Sequence, residues 1–379
     1  MHDDLTVRLK AEGLRLGFDR LGVAPAVAPP GHPRLLDWLD AGREAEMGYM
    51  RRQAEARAHP SSVLPGVRSV VVASLVYGRP EPNPPGPTQG KIARYARGDD
   101  YHGVLWRRLE QLLDWLKAEC PGATGRAVAD TAPLAERDFA RLAGMGWIGK
   151  NTMLIDRTLG SFTVLGALLV DVDLRPDAPF QADHCGTCTR CLDACPTSAF
   201  DAPGVLNAGR CISYWTIEHK GAVDERIAEQ IDGWAFGCDI CQDVCPWNRK
   251  ASLGREPALE PSPQRTNPDL LSWLDADPAA LRAEIKGTAL ARTKRAGLVR
   301  NASLVLGQRR EPSATPALAR RLADADPAVR AAAAWALGRI GGPAALSSLR
   351  QAEVDEQDPA TLEAIRRALD SSRSNDRGD

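Results

Sequence analysis

Eight of the nine cysteines in this 379-residue chain fall between Cys185 and Cys245. Cys185, Cys188, Cys191 and Cys195-Pro196 reproduce the spacing of bacterial two-cluster ferredoxins. Cys238, Cys241 and Cys245-Pro246 repeat that run without its first member, and Cys211 is the nearby cysteine that completes it. Eight thiolates make two sets of four, each suited to one [4Fe–4S] cluster. A short loop wraps three corners of a cubane but not the fourth, so the last cysteine of each run serves the other cluster. The expected sets are Cys185, Cys188, Cys191 with Cys245, and Cys211, Cys238, Cys241 with Cys195. Two four-cysteine zinc sites are the alternative, but a tetrahedral ion does not call for three evenly spaced cysteines followed by Cys-Pro. A disulfide framework is the other, and it belongs to secreted chains. The start Met1-His-Asp-Asp-Leu-Thr has neither the basic nor the apolar region of a secretory signal. Cys120, before Pro121 at a helix end, reads as a half-buried thiol outside this arithmetic.

With 44% hydrophobic residues, the chain can build more than one core without help from metals. Its longest apolar stretches are far too short for a membrane span, so a cytoplasmic location is expected, with no membrane partner and a monomeric state. Residues 1–179 read as one mixed domain. Leu5–Leu16 and Tyr101–Leu116 carry apolar residues at helical spacing. Ser69–Leu75 is a β-branched run expected of a buried strand, and Arg79–Gly90 is a Pro- and Gly-rich loop. A short strand, Arg126–Ala129, delivers Asp130 to a turn ahead of a helix over Leu134–Ala143. Residues 180–250 form the two-cluster segment, and 251–285 a connector with five prolines. Residues 286–370 are Ala- and Leu-rich, with Asp326-Pro and Asp358-Pro 32 residues apart, each opening an apolar helix. That is the pattern of short helical repeats. Residues 371–379 read as a disordered tail.

An electron relay needs a terminus where chemistry occurs. Glu12-Gly-Leu-Arg-Leu-Gly-Phe-Asp, Tyr95-Ala-Arg-Gly-Asp-Asp-Tyr-His102, Asp130-Thr-Ala-Pro-Leu-Ala-Glu-Arg137, Gly144-Met-Gly-Trp-Ile-Gly-Lys-Asn151 and Gly297-Leu-Val-Arg-Asn-Ala302 flank the cysteines in order. Together they resemble the epoxyqueuosine reductases. The resemblance implies an α+β fold: an N-terminal cobalamin-binding domain similar to that of reductive dehalogenases, a ferredoxin-like two-cluster domain and C-terminal α-helical HEAT-like repeats. It also implies the activity, reduction of epoxyqueuosine to queuosine at the wobble position of tRNA. The cofactors implied are cobalamin and two [4Fe–4S] clusters, the partners a tRNA carrying epoxyqueuosine and an external reductant or electron-transfer protein. A reductive-dehalogenase-like corrinoid enzyme and a non-catalytic iron–sulfur electron carrier are the competing readings.

Deoxygenating an epoxide requires a proton donor, and a carboxyl keeps its proton near neutral pH only in an apolar site. Asp130, after Ala127-Val128-Ala129, is the expected donor, and the resemblance assigns it that role; its alternative is to cap the following helix. The resemblance also places Arg57, Ser213 and Asp239 beside cobalamin. Lys150 and Asn151 are expected to hydrogen-bond the same group. His102 fails the Asp-x-His-x-x-Gly pattern of a lower cobalt ligand and reads as a polar residue at a helix start. Arg137 is a candidate for a base edge or phosphate. Trp147, Tyr101 and Trp215 are candidates for stacking a flipped base. A net charge of −1 for the whole chain hides a basic stretch. Lys286 to Arg350 holds twelve Lys and Arg against three acids, net +9 over 65 residues. Arg292, Lys294, Arg295 and Arg300 are the expected tRNA contacts there.

Overall fold

The computed structural model describes residues 2–81 and 83–375. The chain divides into two interleaved compact units, residues 1–80, 99–209 and 239–260 in one, 81–98, 210–238 and 261–379 in the other. The sequence-based boundaries at 179, 250 and 285 follow the chain linearly and do not coincide with these divisions. In particular, the cysteine-rich segment is shared between the two units.

The first unit is built on a four-stranded antiparallel sheet. Its strands are β1 (Arg20–Pro25), β2 (Ser69–Val76), β3 (Gly125–Val128) and β4 (Thr163–Val170), in spatial order β1-β2-β4-β3. Every residue of β2 is buried, which is why its sequence is mostly apolar rather than alternating, with only the small Ser69 and Ser74 among the apolar side chains. Helices α1 (His2–Arg15), α2 (Tyr101–Glu119) and α3 (Glu136–Leu142) belong to the same unit. Alternate residues divide the sheet's faces: Val70, Val72 and Leu169 pack with Phe139 and Ala140 of α3. On the opposite face, Gly166 lies against Leu105 and Leu109 of α2. The strands and helices expected from periodicity are thus present, and Arg79–Gly90 forms no helix or strand among its described residues.

The second unit is mainly helical. Helix α4 (Ile212–Ile217) precedes the strand Trp234–Phe236, which pairs in parallel with Lys91–Ile92. Helices α5 (Lys294–Gln308), α6 (Pro327–Ile340) and α7 (Pro359–Asn375) stack in succession. The Asp-Pro repeats work as expected. Asp326 accepts a hydrogen bond from the Ala328 amide and Asp358 one from Thr361. Proline at the first helical position forgoes an amide that would be unpaired anyway. The expected tail from residue 371 is corrected in part. Helix α7 runs to Asn375, and the Ser372 hydroxyl bonds the Gly338 carbonyl of α6. That anchor, with buried Ile365, Ala368 and Leu369, carries the helix past the point where composition turns polar. Residues 376–379 lie outside the described residues. No described helix is long and apolar enough to cross a membrane.

Candidate functional site

Edge strand β3 ends at Val128, fully buried Ala129 follows, and the next residue turns outward. Asp130 adopts φ 58°, a left-handed conformation that L-residues avoid and Asp tolerates better than most. Its side chain is 67% exposed, and the Tyr101 hydroxyl donates to its Oδ2 at 3.2 Å. His102 Nε2 stands 3.5 Å from the same oxygen, while its Nδ1 lies 2.6 Å from Asp100 Oδ1. Tyr101 stacks on the imidazole, ring centroids 4.1 Å apart. Asp100 caps α2 through the His102 amide, so the helix start itself aims the imidazole.

Burial disfavours the charged imidazole, but the carboxylates of Asp100 and Asp130 outweigh it and push His102 up to about 9. The same contact with His102, helped by Tyr101 and Arg137, holds Asp130 below the usual carboxylate range. The expectation of an apolar site that keeps Asp130 protonated is therefore corrected. The apolar side chains before it, Val128 and Ala129, are packed in the core, whereas the carboxyl faces polar neighbours. In this arrangement the proton at neutral pH resides on His102. Glu136 differs: burial pushes its carboxyl up to about 8, and its Oε1 accepts the Asp130 amide at 2.7 Å. The capping alternative for Asp130 also fails, because the helix starts at Glu136 with Ala135 in the cap position.

Arg57 is half-buried in a 3-10 turn, where its guanidinium donates to Gln53 Oε1. Burial lowers its affinity for a proton, while the fields of Tyr49, Asp130 and Glu136 oppose that effect. Arg57 therefore joins the Asp130 constellation. Arg137 is exposed on α3 and donates to the Thr152 carbonyl at 3.0 Å, joining the helix to the glycine-rich turn. That turn needs glycine at position 146: φ is 151°, and a Cβ there would stand 2.1 Å from the Ile155 carbonyl oxygen.

Cys185, Cys188, Cys191 and Cys245 line one cavity of about 280 Å³ within the first unit, with Lys150, His184, Arg190 and Trp247 on its walls. No cysteine is in a disulfide. Burial pushes the thiols of Cys191 and Cys245 up, and neighbouring sulfurs of this same set push them further. Sulfurs that feel one another across a shared cavity suit a polynuclear cluster. Among the described residues, no three His, Cys, Asp or Glu side chains close on a single ion. Trp147, Phe180, His184 and Trp247 form an aromatic wall here, with Trp147 5.0 Å from both His184 and Trp247. Trp147 is 2% exposed, so it is wall rather than a platform for a base.

Lys150 donates to the carbonyls of Gly186 and Cys188, at 2.7 and 3.0 Å. Buried Asn151 reaches the Cys241 carbonyl and accepts the Met153 amide. Two of the three Lys150 donors and the Asn151 amide thus hold cysteine loops. Of the second set, Cys195 and Cys241 belong to the first unit, Cys211 and Cys238 to the second. The Ala199 amide points at Cys195 Sγ, 3.3 Å away. Asp239, in the first unit, is 1% exposed, and Ser213 lies half-buried in α4 of the second.

The basic stretch also requires correction. Arg300 is 1% exposed. Its five N–H groups go to the carbonyls of Trp215, His219 and Gly221 and, twice, to Asn301 Oδ1. It has no donor left for a phosphate. Arg295 grips Asp324 with both terminal nitrogens and is only 14% exposed. Arg292 pairs with Glu218, Arg320 with Asp275, Arg330 with Glu356 and Arg339 with Glu229. Four of these acids lie outside the 65-residue window, which is why the linear count overstated the free charge. Lys294 is exposed, and Arg292 keeps 57% of its side chain accessible despite its partner.

Sequence reasoning left His102 as a polar residue at a helix start and gave Glu136 no role. The available signal was Asp100 two residues before His102, a capping acid able to hold an imidazole. Glu136 had no local signal, because its partner amide lies across a turn.

Comparison with known proteins accounts for both units. A family model described as epoxyqueuosine reductase QueG, DUF1730, matches residues 57–131. Models of a 4Fe-4S double cluster binding domain and of HEAT repeats match residues 184–248 and 288–370. The epoxyqueuosine reductase of Cellulophaga algicola is 40% identical over 301 residues, 79% of this chain and 96% of the relative. That of Pseudomonas aeruginosa is 37% identical over 344 residues, 89% and 95%. Among solved structures, an epoxyqueuosine reductase with an epoxyqueuosine-modified tRNA-Tyr stem loop matches with TM-score 0.91 at 31% identity, covering 98% of this chain and 99% of the other. The Bacillus subtilis enzyme, with its catalytic aspartate loop swung out of the active site, matches equally well over 97% and 99%. Identity of 37–40% over 79–89% of the chain and at least 95% of these relatives makes the chain an oxidoreductase of the epoxyqueuosine reductase family.

Proposed function

We propose that this chain reduces epoxyqueuosine to queuosine at the wobble position of tRNA, in the cytoplasm, with Asp130 as proton donor. Two C–O bonds of the epoxide break, a C=C bond forms, and the oxygen leaves as water. The balance is two electrons and two protons per turnover. An external reductant supplies the electrons and the two [4Fe–4S] clusters carry them, one on Cys185, Cys188, Cys191 and Cys245, the other on Cys211, Cys238, Cys241 and Cys195.

The observation that carries the reading is the exposed Asp130 carboxylate beside a protonated imidazole. His102 holds a proton at neutral pH, and Asp130 is the side chain that faces outward to pass it on. A bound nucleoside excludes water from Asp130 and raises its proton affinity at the moment of transfer. Tyr101 fixes Oδ2 by donating to it, and Arg57 lends positive charge to the same carboxylate.

The residues present fit cobalamin in one respect: Arg57 is a half-buried cation in the field of Asp130. Arg57, Ser213 and Asp239 are the residues that would hold it, with Lys150 and Asn151 as further candidates. When bound, it would supply a reduced cobalt centre for attack on the epoxide. Arg292 and Lys294 remain the candidates for phosphate contact, with Arg137 nearer the chemistry.

The test is anaerobic purification, a corrin absorption spectrum, and an assay of epoxyqueuosine-containing tRNA with a chemical reductant. Product formation is expected. Intact clusters with no corrin affinity and no product would reduce the protein to an electron carrier.

A further inference from the structure

We infer that Glu136 is a positioning residue, whose side-chain oxygen holds the backbone of Asp130 in the left-handed turn that presents the carboxyl to Tyr101 and His102. The inference rests on the reading of Asp130 as the proton donor.

Three observations converge on it. Asp130 has φ 58°, so its backbone returns to the extended region unless something holds it. The next residue closes a tight turn, the Thr131 amide donating to the Ala129 carbonyl at 2.6 Å. Within that turn the Asp130 amide finds its acceptor in Glu136 Oε1, at 2.7 Å. Glu136 is itself fixed, being the first residue of α3, the helix whose Phe139 and Ala140 are wholly buried against the sheet. A contact from a rigid helix to a strained loop sets where the carboxyl points.

The acceptor works without charge. Burial, together with the Asp130 carboxylate, raises Glu136 to about 8, against the opposing fields of Arg137 and His102, so at pH 7 it is largely neutral. A neutral acid still offers its carbonyl oxygen to an amide. Glutamine offers the same oxygen at the same reach, whereas alanine offers none and aspartate is one methylene short.

The experiment compares Glu136→Ala, Glu136→Asp and Glu136→Gln in the cluster-loaded enzyme, reading turnover of epoxyqueuosine tRNA and hydrogen exchange of residues 129–134. Misplacing a catalytic group by about 1 Å costs up to about a hundredfold, so kcat in Glu136→Ala is expected to fall about ten- to a hundredfold with KM nearly unchanged. Exchange at the Asp130 amide should quicken, and Glu136→Gln should recover both. If Glu136→Ala does not fold, the Asp and Gln variants carry the same contrast. Equal damage in the Gln and Ala variants would overturn the proposal, because the proton rather than the acceptor would then matter. Unchanged exchange at Asp130 in Glu136→Ala would overturn it too. Exchange is read without turnover, so it separates this outcome from failure of the proposed function, which full activity in Asp130→Ala would show.

Discussion

Asp130 and Arg300 are both charged residues in motifs that stood out in the sequence, and the structure gives them opposite fates. Asp130 sits at the end of an edge strand in the first unit, 67% exposed, in a strained turn. Arg300 sits inside α5 of the second unit, 1% exposed, with all five donors bonded. The contrast is one of saturation. A polar side chain whose hydrogen-bonding capacity is used up internally is part of the scaffold. One held in place by its neighbours but left open to solvent has capacity to spend on a substrate. Arg300 and Asn301 serve the site at one remove, since their bonds to Trp215, Thr216, His219 and Gly221 fix the segment that begins at Cys211.

The sharpest way to break the comparison is to exchange the phenotypes. Asp130→Ala should lower turnover by about 10²- to 10⁴-fold, the range for losing a general acid, with cluster absorption and thermal midpoint unchanged. Single-turnover assays and a melting curve check it; a loss of stability would make Asp130 scaffold after all.

Arg300→Met should do the reverse. It removes the donor from the His219 carbonyl and from Asn301 Oδ1, both on buried residues, and from the half-buried Trp215 carbonyl. Each is worth about 1–3 kcal/mol unsatisfied, so a loss of about 3–5 kcal/mol in urea unfolding is expected. Iron content should fall toward one cluster per chain if the Cys211 segment loosens. Arg300→Lys should rescue only part of the stability, since one ammonium cannot span the carbonyls that the guanidinium fork bridges.

A smaller effect comes from His102. Its affinity for a proton rises on folding, from 6.5 to about 9. The proton-linked stability is thus fully present below about 6.5 and is lost as pH rises through about 9. The stability difference between the wild type and His102→Gln, measured by denaturant titration, should shrink across that window. A difference that grew with pH would mean the imidazole is neutral in the folded state.

The smallest expected change is at Lys294. Replacing it with Gln should weaken tRNA binding a few-fold and reduce the slope of log K against log salt by about one. The same test on Arg295, locked to Asp324, should leave the slope unaltered.

Local pattern was enough for the elements. The β-branched run at Ser69–Val76, the apolar face of Tyr101–Glu119 and the Asp-Pro starts of α6 and α7 each depend on neighbours within a few residues, so they are legible one-dimensionally. The convergence of the first cysteine set was legible for a similar reason: loop spacing limits which thiolates share a cluster. The ionisation of the site was not. Asp130 looked apolar because its sequence neighbours are, yet its spatial neighbours are His102 and Tyr101, 28 and 29 residues away. Charge counting failed likewise, because Glu218, Glu229, Asp275 and Glu356 lie beyond the window in which the basic residues were tallied.

The sequence by itself therefore determined the secondary structure, the grouping of the first cysteine set and the repeat architecture, all set by spacing and periodicity. Only the tertiary structure decided which charges are free and which carboxyl holds a proton. Desolvation and ion pairing depend on what surrounds a group in space, and Glu136, Lys150 and Arg300 each owe their role to a partner more than two residues of turn or a whole segment away.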